Sequence, residues 1–159
     1  MKTTSSLQRE LKQRRPFSSV AQECVVALLR TTDLLRRRTA AVVETHGITL
    51  QQFNVLRILR GGAADDGLPT LEVAERMIEQ TPGVTRLLDR LEAKKLVRRQ
   101  RCPKDRRQHL CWITQEGSDL LAALDNPIVG SAGENLKGLT AREQSALLGL
   151  LDAIRAAHQ

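Results

Sequence analysis

The chain has 159 residues, 41% of them hydrophobic and 27% charged, a balance that excludes a disordered polypeptide and is enough to build a real core. No apolar run approaches the roughly 18 residues that a bilayer span requires, and the polar, basic first sixteen residues lack the apolar stretch of a secretory signal. A net charge of +7 suits a polyanionic partner, although many basic proteins bind nothing of the kind.

The charge is concentrated as well as large. Between Arg86 and Arg107 stand ten basic side chains and three acidic ones. Aromatic residues make up only 2% of the chain and there is no tyrosine, which leaves no stacking platform for single-stranded nucleic acid. Duplex DNA, met by helices and phosphate contacts, needs none. The cysteines (Cys24, Cys102, Cys111) are odd in number and widely spaced, which argues against a disulfide framework and for a reducing, cytoplasmic setting.

In chain order, residues 1–16 are expected to form a flexible basic arm. From 17 to 46, Cys24, Leu28, Thr31, Leu35 and Val42 recur at near-heptad spacing, with Ala21 and Val25 beside them. This predicts one long amphipathic helix stopped by Gly47. Thirty helical residues would span about 45 Å, more than a small domain needs for its own core, so the helix is expected to pack against a partner. Thr49 and Gln52 form a capping box opening a helix through Arg60, with Phe53, Leu56 and Leu59 on one face. A glycine-rich loop follows over 61–67. Thr70 is then expected to cap a short helix with Leu71, Ala74 and Met77 inward. Thr81-Pro82 suits the start of another helix, to Lys94, in which Val84, Leu87, Leu88 and Leu91 form a buried stripe.

The period then shortens. Residues 96–101 and 108–113 read as two strands, pairing Arg101 with Gln108, around a charged tip over 102–107. Thr114 caps a helix to about Leu124, and Pro127, Gly130 and Gly133 are expected to break the chain. Thr140 and Glu143 form a second capping box, opening a last helix to roughly Ala157. The fold expected is mainly α with a small β-hairpin wing: a winged helix-turn-helix with long terminal helices.

On the helix from Thr81, the leucine stripe holds the core while Thr81, Gly83, Thr85, Arg86 and Arg90 project elsewhere. Arginine can pair bidentately with guanine in the major groove and threonine can meet a thymine methyl. The plain structural alternative is a solvated face with ion pairs among Arg86, Asp89 and Arg90. Lys104, Arg106 and Arg107 at one hairpin tip repel each other and add nothing to a core, so a polyanion is the better explanation. Arginine at a narrow tip suits the minor groove, and Asp105 is expected to hold an arginine by a charge-assisted hydrogen bond.

Four stretches carry a resemblance: Thr70-Leu-Glu-Val-Ala-Glu-Arg-Met, then Gly83-Val-Thr-Arg-Leu-Leu-Asp-Arg-Leu-Glu-Ala-Lys-Lys-Leu-Val, then Asp105-Arg-Arg, then Ile113-Thr-Gln-Glu-Gly. Together they resemble the MarR family of bacterial transcription regulators. The resemblance implies a homodimer with interleaved terminal helices (17–48 and 115–159) and two winged helix-turn-helix domains (49–114) on a pseudo-palindromic duplex operator. It implies repression relieved by a small phenolic or anionic ligand or by oxidation. By the same resemblance Arg107, oriented by Asp105, enters the minor groove and Arg106 meets phosphates, with Lys104 beside them. Lys95 departs from the family, which commonly has glycine there; either a left-handed lysine costs roughly 1 kcal/mol or the helix ends differently.

The signal is less legible. Cys24 lies where organic-hydroperoxide sensors of the resembled family keep a reactive thiol, but the tyrosines that orient it there are absent. Its place on the apolar stripe favours an inert, buried cysteine. Arg36, Arg37 and Arg38 are candidate partners for an anionic effector, with a solvated basic stripe as the plainer reading. Cys102, His109 and Cys111 are too few and too unevenly spaced to predict a metal site. No catalytic constellation is visible and no cofactor or membrane partner is expected. The alternatives to a DNA-binding regulator are a winged-helix protein-interaction module and a redox- or metal-responsive repressor.

Overall fold

The computed structural model describes residues 5–62, 66–79, 83–103, 105 and 107–158. Its elements, in order, are α1 (Ser6–Glu10), α2 (Val20–Glu44), α3 (Leu50–Arg60), β1 (Leu68–Pro69), α4 (Thr70–Glu75), α5 (Val84–Ala93), β2 (Val97–Arg101), β3 (His109–Ile113), α6 (Gln115–Leu136) and α7 (Ala141–Ala156). The fold is mainly helical with one small antiparallel sheet, as expected. The chain divides into two compact units, Met1–Arg38 and Thr39–Gln159, with α2 running from the first into the second. No helix among the described residues is long and apolar enough to cross a membrane.

In the first unit, the segment expected to be a flexible arm contains α1. Ser5 caps it, its side chain accepting from the Gln8 amide at 3.1 Å. The Glu10 carboxylate then takes Arg30 Nε of α2 at 2.9 Å. The long helix starts three residues later than expected because Ser19 acts as its cap, accepting from the Gln22 amide at 3.1 Å. Its apolar stripe is only partly covered within the single chain: Leu28, Leu35 and Val42 are half-buried, whereas Val25 is exposed, and so is Cys24. The expectation of a buried Cys24 is therefore corrected for the single chain. A stripe position is buried only where a second surface lies against it.

The second unit is built around the expected core. Val43, Ile48, Val55, Leu56, Leu88, Leu91, Val97, Leu121 and Leu124 are buried in one cluster. Gly47 stops α2 in a left-handed conformation (φ 73°), and the Thr49–Gln52 capping box opens α3. Arg60 at the end of α3 forms a two-pronged pair with Asp125 of α6, at 2.8 and 2.9 Å. That hydrogen bond holds the Asp125 carboxyl below its ordinary range and raises Arg60.

The short helix differs from expectation in two ways. Thr70 is its first residue rather than its cap, because Pro69 still pairs with Leu110 of β3 and the Thr70 hydroxyl donates to the His109 carbonyl at 3.3 Å. Leu71 is 71% exposed, whereas Val73 is fully buried. Two residues are about 200° of helix, so Val73 and Leu71 cannot share a face. Strand β1 makes a third strand, in the order β1-β3-β2. Two residues show no periodicity, which is why it is not legible in the sequence.

The hairpin register pairs Arg101 with His109, and Arg99 with Cys111, one residue from the expected pairing. That setting puts Val97 and Cys111 against the core. Helix α6 begins at the Thr114 cap, as expected, but runs through Pro127, Gly130 and Gly133 to Leu136. Proline removes one intrahelical bond at a cost of roughly 3 kcal/mol, and the turns on either side of it keep theirs. Gly117 is required where α6 starts: a Cβ there would sit 2.3 Å from the Leu96 carbonyl oxygen. The second capping box, Thr140 with Glu143, opens α7, which buries none of its side chains in the single chain.

Candidate nucleic-acid interface

Helix α5 separates its two jobs cleanly. Val84, Leu87, Leu88 and Leu91 are buried, while Thr85, Arg86, Asp89 and Arg90 are exposed. The helix begins at Gly83, which is left-handed (φ 101°) and has open space where a Cβ would stand. Thr81, expected to help read bases, lies outside the described residues, as do Lys104 and Arg106. At the other end, the Lys95 amide donates to the Glu92 carbonyl and the Leu96 amide to the Leu91 carbonyl, each at 2.9 Å. These are the two bonds of a Schellman ending. Lys95 is left-handed (φ 60°) where glycine would be unstrained, and Thr114 Oγ1 donates to its carbonyl at 2.7 Å.

The alternative of ion pairs within α5 is not what Asp89 forms. Asp89 takes Arg99 Nη2 of β2 at 2.6 Å, and Glu92 takes the same guanidinium at 2.6 and 3.0 Å and the Arg99 amide at 3.1 Å. The Arg99 side chain is 17% exposed. Burial opposes its charge, and the two carboxylates outweigh that and raise its pKa. Arg99 thus ties α5 to the wing. Its signal in the sequence was only one more arginine in a basic run, and the three-residue spacing of Asp89 and Glu92 marks a shared face only once α5 is known.

At the wing tip, Asp105 acts differently from expectation. Its carboxylate accepts from the Arg107 backbone amide at 3.0 Å, and its carbonyl accepts from the Gln108 amide at 3.0 Å. Asp105 fixes the turn that carries Arg107, not the guanidinium itself. Thr70, Glu75, Gly83, Thr85, Arg107 and His109 line one concave surface of about 910 Å³. The start of α5 and the root of the wing therefore share a face. On the outer side of the hairpin, the Arg98 guanidinium lies 4.1 Å from the Trp112 ring centroid.

The remaining candidates are dispersed. Cys111 is buried with its thiol 3.6 Å from Thr70 Oγ1, and burial pushes its pKa up. His109 is exposed and Cys102 partly so; among the described residues no three metal-ligating side chains gather. Arg36, Arg37 and Arg38 are exposed on α2, and Arg37 pairs with Asp33 at 3.0 Å.

A family model described as MarR family matches residues 46–108. A MarR transcription factor from Planctomyces limnophilus is 33% identical, with a TM-score of 0.67 over 87% of this chain and 99% of that one. A MarR family transcriptional regulator from Streptomyces coelicolor, solved in complex with DNA, is 20% identical with a TM-score of 0.78, over 92% of this chain and 93% of that one. BpsR of Bordetella bronchiseptica, whose DNA binding is regulated by 6-hydroxynicotinic acid, is 24% identical with a TM-score of 0.73, over 84% and 98%. The last two show a shared fold. With its capped, leucine-striped α5, its arginine wing and the Planctomyces match, this chain belongs to the MarR family of winged-helix transcription regulators.

Proposed function

We propose that the protein is a repressor that binds a pseudo-palindromic duplex operator as a homodimer in the cytoplasm. The observation that carries this reading is the shared concave face of α5 and the wing, with Gly83, Thr85 and Arg107 on its wall. The amino end of α5 (Thr81, Gly83, Thr85, Arg86, Arg90) enters the major groove, and the wing (Lys104, Asp105, Arg106, Arg107) lies over the adjacent minor groove and phosphates. Homodimerisation is supported by apolar side chains left open on the long helices, Val25 and Leu29 of α2 and Leu148, Leu150 and Ile154 of α7. A small anionic or phenolic effector releases the operator. BpsR responds to such a molecule, and Arg36, Arg37 and Arg38 are exposed cations able to meet one.

Selection from a randomised duplex library tests the proposal. Enriched half-sites should lie about one helical turn apart. Arg107→Ala should weaken binding to the selected duplex by roughly 10-fold or more. No enrichment over random duplex would overturn the reading. An enriched site bound equally by the variant would overturn the role of the wing.

A further inference from the structure

Two tracts hold the positive charge of this chain, and only one of them is the reading helix and wing. Residues 1–38 carry nine basic and three acidic side chains. Outside that tract and residues 86–107, the chain is acidic, with six basic and twelve acidic residues. The first unit therefore matches the DNA-reading tract in charge without containing any of it.

That charge is displayed on ordered backbone. Gln8 Nε2 donates to the Gln13 carbonyl at 3.2 Å and Gln13 Nε2 donates to the Arg15 carbonyl at 2.8 Å, closing the turn after α1. The Glu10–Arg30 pair ties the segment to α2. Lys12 is held left-handed (φ 52°), a conformation that strains a non-glycine residue. Arg9, Lys12, Arg14 and Arg15 are exposed, and none has a carboxylate partner among the described residues. Four unpaired cations within seven residues repel one another, and a fold that orders them gains nothing unless an anion neutralises them.

We propose that this amino-terminal turn is a second DNA-contact element, in which Arg9, Lys12, Arg14 and Arg15 bind duplex phosphates without reading sequence. It adds affinity and salt dependence to the operator complex and leaves base preference to α5. The inference rests on the reading of the protein as a DNA-binding regulator.

The test compares four proteins on a long random-sequence duplex and on the library-selected duplex, across a salt series. They are the parent, Arg9→Gln/Lys12→Gln/Arg14→Gln/Arg15→Gln, the wing variant Lys104→Gln/Arg107→Gln, and the charge-keeping Arg9→Lys/Arg14→Lys/Arg15→Lys. The amino-terminal glutamine variant should bind both duplexes at least about 10-fold more weakly, with a salt slope lower by roughly 0.9 for each phosphate no longer neutralised. Its preference for the selected duplex over the random one should be unchanged, and the lysine variant should bind like the parent. If the glutamine variant matches the parent while the wing variant loses binding, the second element is overturned and the regulator reading stands. If neither variant loses binding, both fall. Tighter binding of the parent to anionic phospholipid vesicles than to duplex, abolished by the same glutamines, would assign the turn to a membrane surface and overturn the proposal.

Discussion

Lys95 shows how much a single backbone position can carry. The Schellman bonds at the end of α5 and the bond from Thr114 to its carbonyl fix the turn between α5 and the wing, so the left-handed φ is required even though lysine is there. Lys95→Gly should stabilise the protein by about 0.5–1 kcal/mol, read as a higher urea midpoint at unchanged slope. An unchanged or lower midpoint would mean that the lysine side chain repays its strain. Lys95 stood out in the sequence only as a departure from the glycine of the resembled family, which left open whether it is left-handed or the helix ends differently. Asp105 could be picked out as the organiser of Arg107, but not the atom it holds. A carboxylate two residues before an arginine reaches either the amide or the guanidinium, and only the turn decides.

Among elements, the decisive coupling is between α5 and β2. The helix was legible from a stripe of Val84, Leu87, Leu88 and Leu91 at helical spacing, and its outward face from the charges between them. That Asp89 and Glu92 serve Arg99 was not, because their partner lies across the turn on a strand whose facing had yet to be set. Arg99→Ala should cost about 1–2 kcal/mol, since the carboxylates are partly solvated. It should also weaken duplex binding more than it lowers stability, because the wing is then no longer held to the reading helix. Binding titrations at a temperature where both proteins are fully folded separate the two effects. Parent-like affinity there would reduce Arg99 to a stabilising residue. The facing of the short helix was illegible for a related reason: in a segment of six residues, Leu71 and Val73 offer competing faces, and β1 selects Val73.

For the whole molecule, the open question posed by the single chain is what covers α2 and α7. The exposure of Val25, Leu29, Leu148, Leu150 and Ile154 removes a stabilising term of roughly 25 cal/mol for each Å² of apolar surface left in water. The proposed second copy would restore it. Leu29→Glu with Leu148→Glu should convert a particle of twice 17.7 kDa to one of 17.7 kDa in sedimentation, with weaker operator binding because two half-sites are no longer held together. A parent that sediments as a single chain would remove the homodimer from the proposal. Cys24 belongs to the same scale: its exposure is a property of the chain by itself, and its reactivity follows from whatever surface meets α2.

The sequence determined the helices with clear caps, the leucine-striped α5 and the arginine wing, because each is written in residues close along the chain. Tertiary structure decided the rest. It set the hairpin register through the burial of Val97 and Cys111, added β1 as a third strand, turned Leu71 outward and carried α6 through Pro127. It also gave Arg99 its two carboxylates. Each of these depends on residues distant in sequence competing for the same buried surface or the same charge, and local pattern does not record the outcome of that competition.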